Sequence, residues 1–181
     1  MTFFLLMRHG QPDFSGLDKW NARGWPADIA PLAAAGEEQV RRQFDRIAEF
    51  APEIIVSSPV TRSLHTALLV LPRVNVPCKV EFDLHDWVAD LSLQRLSLEE
   101  MQRRGSEFDS LHGEWPPAET RPWETNSAMR ARVLGVLSRY LTYRRVLAVF
   151  HNAPIRAVAA VADVGMAEIV PFELKGLTSP P

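Results

Sequence analysis

Three short stretches place groups that bind or attack phosphate directly after apolar runs. They are Arg8-His9 in LLMRHGQ, Ser57-Ser58 with Arg62 in IIVSSPVTR, and His151-Asn152 in VLAVFHN. Arginine forks onto pairs of phosphate oxygens and keeps its charge at any working pH, so two arginines can spread the charge of a transferring phosphoryl group. A histidine beside such a group has two chemistries open to it. Protonated, it is a cationic clamp; neutral, it is a nucleophile that attacks phosphorus and becomes a phosphohistidine. Placement of His9 at a strand end favours the nucleophile, because the backbone there is rigid and a nearby carbonyl can hold one ring nitrogen protonated while the other stays free. His151 is then a second imidazole that donates to the equatorial oxygens. Each stretch alone has an ordinary explanation: a surface Arg-His pair, a helix start, a structural histidine. Together they would have to reach the same edge of a sheet by accident.

The elements that must position these groups are legible as alternating strands and helices. Thr2 to Met7, EIIVSS, CKVEFD and RVLAVF are short apolar runs of the kind found in strands covered on both faces, and EIVPFEL is a short last strand. Val40, Phe44 and Ile47 recur at helical spacing, predicting one amphipathic helix over 32–50. A second helix is read over SPVTRSLHTALLVL, with serine as cap and proline in the first turn. Ser97 with Glu100 three residues on has capping-box spacing and predicts a short helix over 97–104. Further helices are read up to Tyr143 and over APIRAVAAVADV. Gly10 to Pro31 and Gly105 to Glu124 read as long loops, which in compact domains are usually functional. The expected architecture is α/β, a three-layer α/β/α arrangement with a mostly parallel sheet and helices on both faces. In such sheets ligands bind beyond the carboxyl ends of the strands, where all three stretches lie. Arg62 also falls in the first turn of its helix, where free N–H groups favour an anion.

The 181 residues, 46% hydrophobic, suffice for one core and are read as a single domain over 1–181. Twenty Lys and Arg against 22 Asp and Glu give a net charge of −2, so any positive site is local and no basic stripe suits nucleic acid. One cysteine, Cys78, leaves no internal disulfide framework and fits a reducing compartment. With neither a leader-like segment nor an apolar run of spanning length, the chain reads as soluble and cytoplasmic, without a membrane partner. His9, His65, His85, His112 and His151 show no metal-ligand spacing, so no metal or other cofactor is expected.

These motifs resemble the histidine phosphatase superfamily, whose fold is called phosphoglycerate mutase-like. LMRHGQ is similar to its Arg-His-Gly signature, RGWPADIAPLAAAGEEQV to its next block, with alanine at 33 where threonine is usual, IIVSSPVTRSLHTA to its Ser-Ser-x-x-x-Arg-x-x-x-Thr-Ala block, and VLAVFHNAPIRAV to its second histidine block. The resemblance covers about residues 3 to 170. It implies that His9 is the phosphorylated nucleophile and that Arg8, Arg62 and His151 form the phosphate pocket. It also asks for a carboxylic acid, usually a glutamate two residues after a leucine and before a tryptophan. LHDW puts Asp86 there, with Asp90 as the alternative in an acid-rich stretch. Ser15 stands where many members have a phosphate-binding asparagine, Asn152 where glycine is usual, and Pro12 where threonine is common. Both Ser15 and Asn152 are therefore carried as phosphate contacts.

The expected activity is a metal-independent phosphomonoesterase acting on a small phosphorylated substrate through phosphohistidine. The departures leave two alternatives: a phosphate-binding or regulatory module on the same fold, and a protein phosphohistidine phosphatase. A mutase is less expected, because the chain lacks the insertions with which the sugar-phosphate mutases enclose substrate. Trp20, Trp25, Trp115 and Trp123 are read as cover for the core rather than as stacking partners for substrate. Oligomeric state is not read from the sequence.

Overall fold

A computed structural model describes residues 1–16, 25–94 and 96–175. Five strands form one sheet in the order β3-β2-β4-β1-β5: β1 (Thr2–Arg8), β2 (Ile54–Ser57), β3 (Cys78–Val80), β4 (Arg145–Phe150) and β5 (Ile169–Leu174). The first four are mutually parallel, while β5 runs antiparallel to β1 at one edge. The expected three-layer arrangement is present. Because strand side chains alternate, β1 sends Phe4 and Leu6 to one face and Leu5 and Met7 to the other. The first face is covered by α6 (Asn126–Ser138) and α7 (Asn152–Ala159) through Val133, Val136, Leu137, Ile155 and Val158. The second is covered by α2 (Ala34–Arg41), α3 (Phe44–Phe50) and α4 (Thr61–Val74) through Val40, Ile47, Ala67 and Val70. Among the described residues, no helix is long and apolar enough to cross a membrane.

Several boundaries differ from the sequence expectation. The single helix expected over 32–50 is two, divided at Gln43, whose N–H donates to the Val40 carbonyl in a tight turn. The α4 N-cap is Val60, not serine; Ser58 Oγ accepts the Val60 N–H instead and serves the site described below. The helix begun at Ser97, α5 (Leu98–Ser110), is longer than expected and shortens the second loop accordingly; Ser97 Oγ accepts the Glu100 N–H as a cap. A four-residue helix, α1 (Trp25–Asp28), lies within the first loop. The remainder of that loop, 17–24 with Trp20, lies outside the described residues, as do Arg95 and residues 176–181.

The loop that leaves β1 is pressed against α2 without room for a side chain. A Cβ added to Gly10 would sit 2.5 Å from the Gly36 carbonyl oxygen, and one on Gly36 would sit 2.2 Å from that of Gln11. The Ala33 N–H donates to the Gln11 carbonyl and the Asp13 N–H to Pro31, so the strand exit is laced to the start of α2. The glycine after His9 thus fixes how the chain departs from the sheet.

Candidate active site

Strand register brings the two histidines together. Arg8 pairs with Phe150 in the parallel β1–β4 ladder, so His9 and His151 follow at the same level on neighbouring strands. Their ring centroids are 5.2 Å apart. On the other side of β4, Ser57 pairs with Val149, which brings Ser58 to the level of Phe150. Arg62 then reaches back from the first turn of α4.

Hydrogen bonds assign the His9 tautomer. Its Nδ1 lies 2.8 Å from the Gly10 carbonyl, which can only accept, so Nδ1 carries the proton. Its Nε2 accepts from Arg62 Nε at 3.0 Å. Burial lowers the His9 pKa to about 4; the Gly10 carbonyl opposes the shift and the Arg62 charge reinforces it. His9 is therefore neutral at physiological pH, with an unprotonated nitrogen facing a guanidinium. His151 is fully buried, and burial lowers its pKa to about 3 although the Asp86 charge works to raise it. Ser58 Oγ lies 2.8 Å from His151 Nε2 and accepts the Val60 N–H, so its own proton is free for that nitrogen. The assignment leaves the His151 proton on Nδ1, a buried atom without a hydrogen-bond partner, 3.4 Å from Asp86 Oδ2.

Asp86 joins this group from the segment after a 3₁₀ turn over Phe82–Leu84. Its Oδ2 accepts from Arg62 Nη2 at 3.0 Å and its Oδ1 from the Trp87 N–H at 2.9 Å. Burial works to raise the Asp86 pKa, but attraction to His151 and Arg62 outweighs it and holds the group at about 2. With 38% of its side chain exposed, it lies at the mouth of the site. Arg62 also donates Nη1 to the Ala27 carbonyl at 3.2 Å, and Asp28 Oδ1 lies 3.6 Å from that nitrogen. The Asp28 pKa is raised by burial against the pull of Arg62.

The other sequence candidates are placed differently. Arg8 donates Nη1 to the Val164 carbonyl at 2.5 Å, while its buried Nε has no partner. Asn152 is turned toward the same loop: its Nδ2 donates to Asp163 at 2.7 Å and its Oδ1 accepts the Val164 N–H at 3.1 Å. Ser15 is exposed, with its N–H donating to Asp13 Oδ1. Asp90 is occupied by Ser92, the Gln94 N–H and Arg104, none of which touches His9, Arg62 or His151. Among the tryptophans, Trp123 is fully buried and Trp115 stacks edgewise on it at 6.4 Å, while the Trp25 side chain lies outside the described residues.

Sequence reasoning missed three participants. Asp28 lies between Ala27 and Ile29 within the block RGWPADIAPLAAAGEEQV, whose spacing gives no sign that its carboxylate meets Arg62. Arg132 and Glu124 form a pair with short contacts of 2.6 and 3.0 Å beneath the Asp86 segment; in the sequence the first looks like an ordinary helix-surface charge and the second like the polar end of a loop. Among the described residues, no group of three or more His, Cys, Asp or Glu side chains is placed to hold a metal ion.

A model of the histidine phosphatase superfamily (branch 1) matches residues 4–179. The chain is 28% identical over 172 residues to PhoE of Bacillus subtilis strain 168, described as an uncharacterized phosphatase, with 93% of this chain and 81% of that protein covered. Among solved structures, a mycobacterial glucosyl-3-phosphoglycerate phosphatase superposes with a TM-score of 0.73 at 20% identity, over 96% of this chain and 90% of the other. Bacillus stearothermophilus YhfR superposes with a TM-score of 0.72 at 19% identity, over 97% and 93% of the two chains.

Proposed function

We propose that this chain, which belongs to branch 1 of the histidine phosphatase superfamily, hydrolyses phosphomonoesters through a phosphohistidine formed on His9, with Asp86 as proton donor and no metal ion. The observation that carries this reading is the tautomer of His9. A neutral imidazole with its Nδ1 proton given to a carbonyl and its Nε2 lone pair beside a buried arginine is an activated nucleophile next to an anion site.

A phosphate ester brought to His9 Nε2 competes with that nitrogen and with Asp86 for the Arg62 guanidinium. His151 Nδ1–H is already unpaired and faces the same space, so it becomes a donor to an equatorial oxygen. Arg8 supplies a further cation through its unpartnered Nε, held in place by the Val164 carbonyl. Asn152 acts through that loop, which its side chain clasps, and Ser15 contributes a hydroxyl contact. In the first half-reaction His9 Nε2 bonds to phosphorus as the ester P–O bond breaks, and Asp86 gives its proton to the departing alkoxide. In the second, the Asp86 carboxylate takes a proton from water as the water oxygen bonds to phosphorus and the P–N bond breaks, releasing phosphate. The substrate is a small phosphorylated molecule; the two named solved relatives, below 25% identity, speak for the fold alone.

The test is hydrolysis of an aryl phosphate in excess chelator, with acid-stable and base-stable adducts separated after a rapid quench. The expected result is an acid-labile, base-stable phosphoryl adduct that is absent from His9→Ala, whose turnover also vanishes. Turnover in His9→Ala equal to that of the parent protein would sink the assignment.

A further inference from the structure

The Asp86 side chain reaches the site from a segment with little regular structure. Within that segment only the Leu84 N–H to Glu81 and the His85 N–H to Phe82 close local turns. Three of its carbonyls are instead gathered by one side chain of α6, that of Asp86 lying also 2.7 Å from His85 Nδ1. Arg132 Nη1 donates to the Asp83 carbonyl at 2.5 Å and to that of His85 at 2.9 Å, and Nη2 donates to that of Asp86 at 3.2 Å. The remaining N–H groups fork onto Glu124, Nε to Oε1 at 2.6 Å and Nη2 to Oε2 at 3.0 Å. All five N–H donors of the guanidinium are thereby used, in its fixed planar geometry. Glu124 continues the lacing: its N–H donates to the Val88 carbonyl at 2.9 Å, and its own carbonyl accepts Trp87 Nε1 at 2.8 Å.

We propose that Arg132, aligned by Glu124, is the positioning residue that holds the Asp86 carboxyl at the leaving-group oxygen. The proposal rests on Asp86 being the proton donor of the reading above. Arg132 sits beside Val133, which is buried against the sheet that carries His9, so the clamp refers the acid to the nucleophile through α6. The upstream end of the segment is tied to the same region, since Glu81 accepts from Arg139 Nη2 at 2.6 Å and from the Tyr140 hydroxyl. A buried ion pair is weak evidence for stability in itself, because removal of its charges from water offsets their attraction. A guanidinium satisfied on three carbonyls within four loop residues supplies geometry instead, and geometry is what a proton donor needs.

The test separates positioning from folding by the leaving group. A poor leaving group needs the proton and 2,4-dinitrophenolate does not. Arg132→Lys keeps the charge but cannot reach three carbonyls and a carboxylate at once. It is expected to lower kcat/KM for an alkyl monophosphate by about ten- to a hundredfold, with the loss in kcat, and for 2,4-dinitrophenyl phosphate by about threefold or less. Glu124→Gln, which keeps the volume and one acceptor, is expected to show the same selectivity in smaller degree and serves alone if Arg132→Lys does not fold. In an Asp86→Asn background, Arg132→Lys should leave the ratio between the substrates unchanged. Equal losses on both substrates in the clamp variants, with Asp86→Asn still selective, overturn the clamp alone. Equal losses in Asp86→Asn overturn the acid assignment and the clamp with it.

Discussion

At the scale of single residues the site is organised around one arginine with competing partners. Arg62 is bonded to the proposed nucleophile His9 and to the proposed acid Asp86 at 3.0 Å each, and attraction to His151 and Arg62 keeps the carboxyl ionised with a pKa of about 2. An ionised acid has no proton to donate. A phosphate that takes over Arg62 removes the cation from Asp86 and places negative charge beside it, and both changes raise the pKa of the carboxyl. The proton can come from the substrate itself, whose monoanion loses it at about pH 6. The active complex therefore contains neutral His9 and one proton shared between substrate and Asp86. It follows that kcat/KM should fall below about pH 4, where His9 takes a proton, and decline again above about pH 6, where substrate becomes the dianion. An alkaline optimum above pH 8 in a pH–rate profile would contradict this account. In the same assay Asp86→Asn should lower kcat/KM for an alkyl phosphate by about 10² to 10⁴.

At the scale of elements, the strand exits and helix starts do the positioning. The β1 exit is held against α2 by the Gly10–Gly36 approach, and a side chain on Gly36 would force the Gln11 backbone to move. Gly36→Ala should destabilise the fold by about 1–3 kcal/mol and lower turnover, measured together by denaturant melts and steady-state rates. The α2 start offers the opposite change. Ala33 occupies the N-cap in extended conformation without a side-chain acceptor, so Ala33→Ser should add about 1 kcal/mol and leave kcat/KM unaltered. A melt in which the variant gains nothing would show that the N–H groups of the first α2 turn need no side-chain acceptor.

At the scale of the whole molecule, burial of two uncharged imidazoles couples folding to pH. In the unfolded chain both histidines take up protons near the ordinary 6.5, while in the folded chain they do so only near 4 for His9 and 3 for His151. Between those values the unfolded state binds more protons, so stability falls as the pH falls through that window. Asp86 adds a further loss below its ordinary 3.8, toward 2. Thermal melts from pH 7.5 to 4.5 should show a declining Tm, with a shallower slope in His151→Gln. Orthovanadate or phosphate at a hundred times its Kd should add about 2.7 kcal/mol, and the gain should disappear in Arg62→Met.

The amino-acid sequence by itself determined which chemistry was available and at which edge of the sheet it would lie. Apolar runs followed at once by Arg8-His9, Ser58 and His151 are a local pattern, and parallel strands joined by helices must end on the same side. The one residue after each strand is therefore readable as a site residue. What tertiary structure decided is which of those ends are neighbours and which acid joins them. The strand order that puts β4 between β1 and β2 brings His151 beside His9 and Ser58, and no local signal specifies that order. The LHDW resemblance favours Asp86 over Asp90 in an acid-rich stretch, but the physical difference lies in the fold, where Arg62 and His151 surround one while Ser92 and Arg104 occupy the other. Asn152 and Arg132 are decided in the same way, by carbonyls and amides brought to them from distant parts of the chain. Hydrogen-bond geometry is a matter of tenths of an ångström between segments far apart in sequence, so composition and spacing carry residue types to the site but leave their partners to the fold.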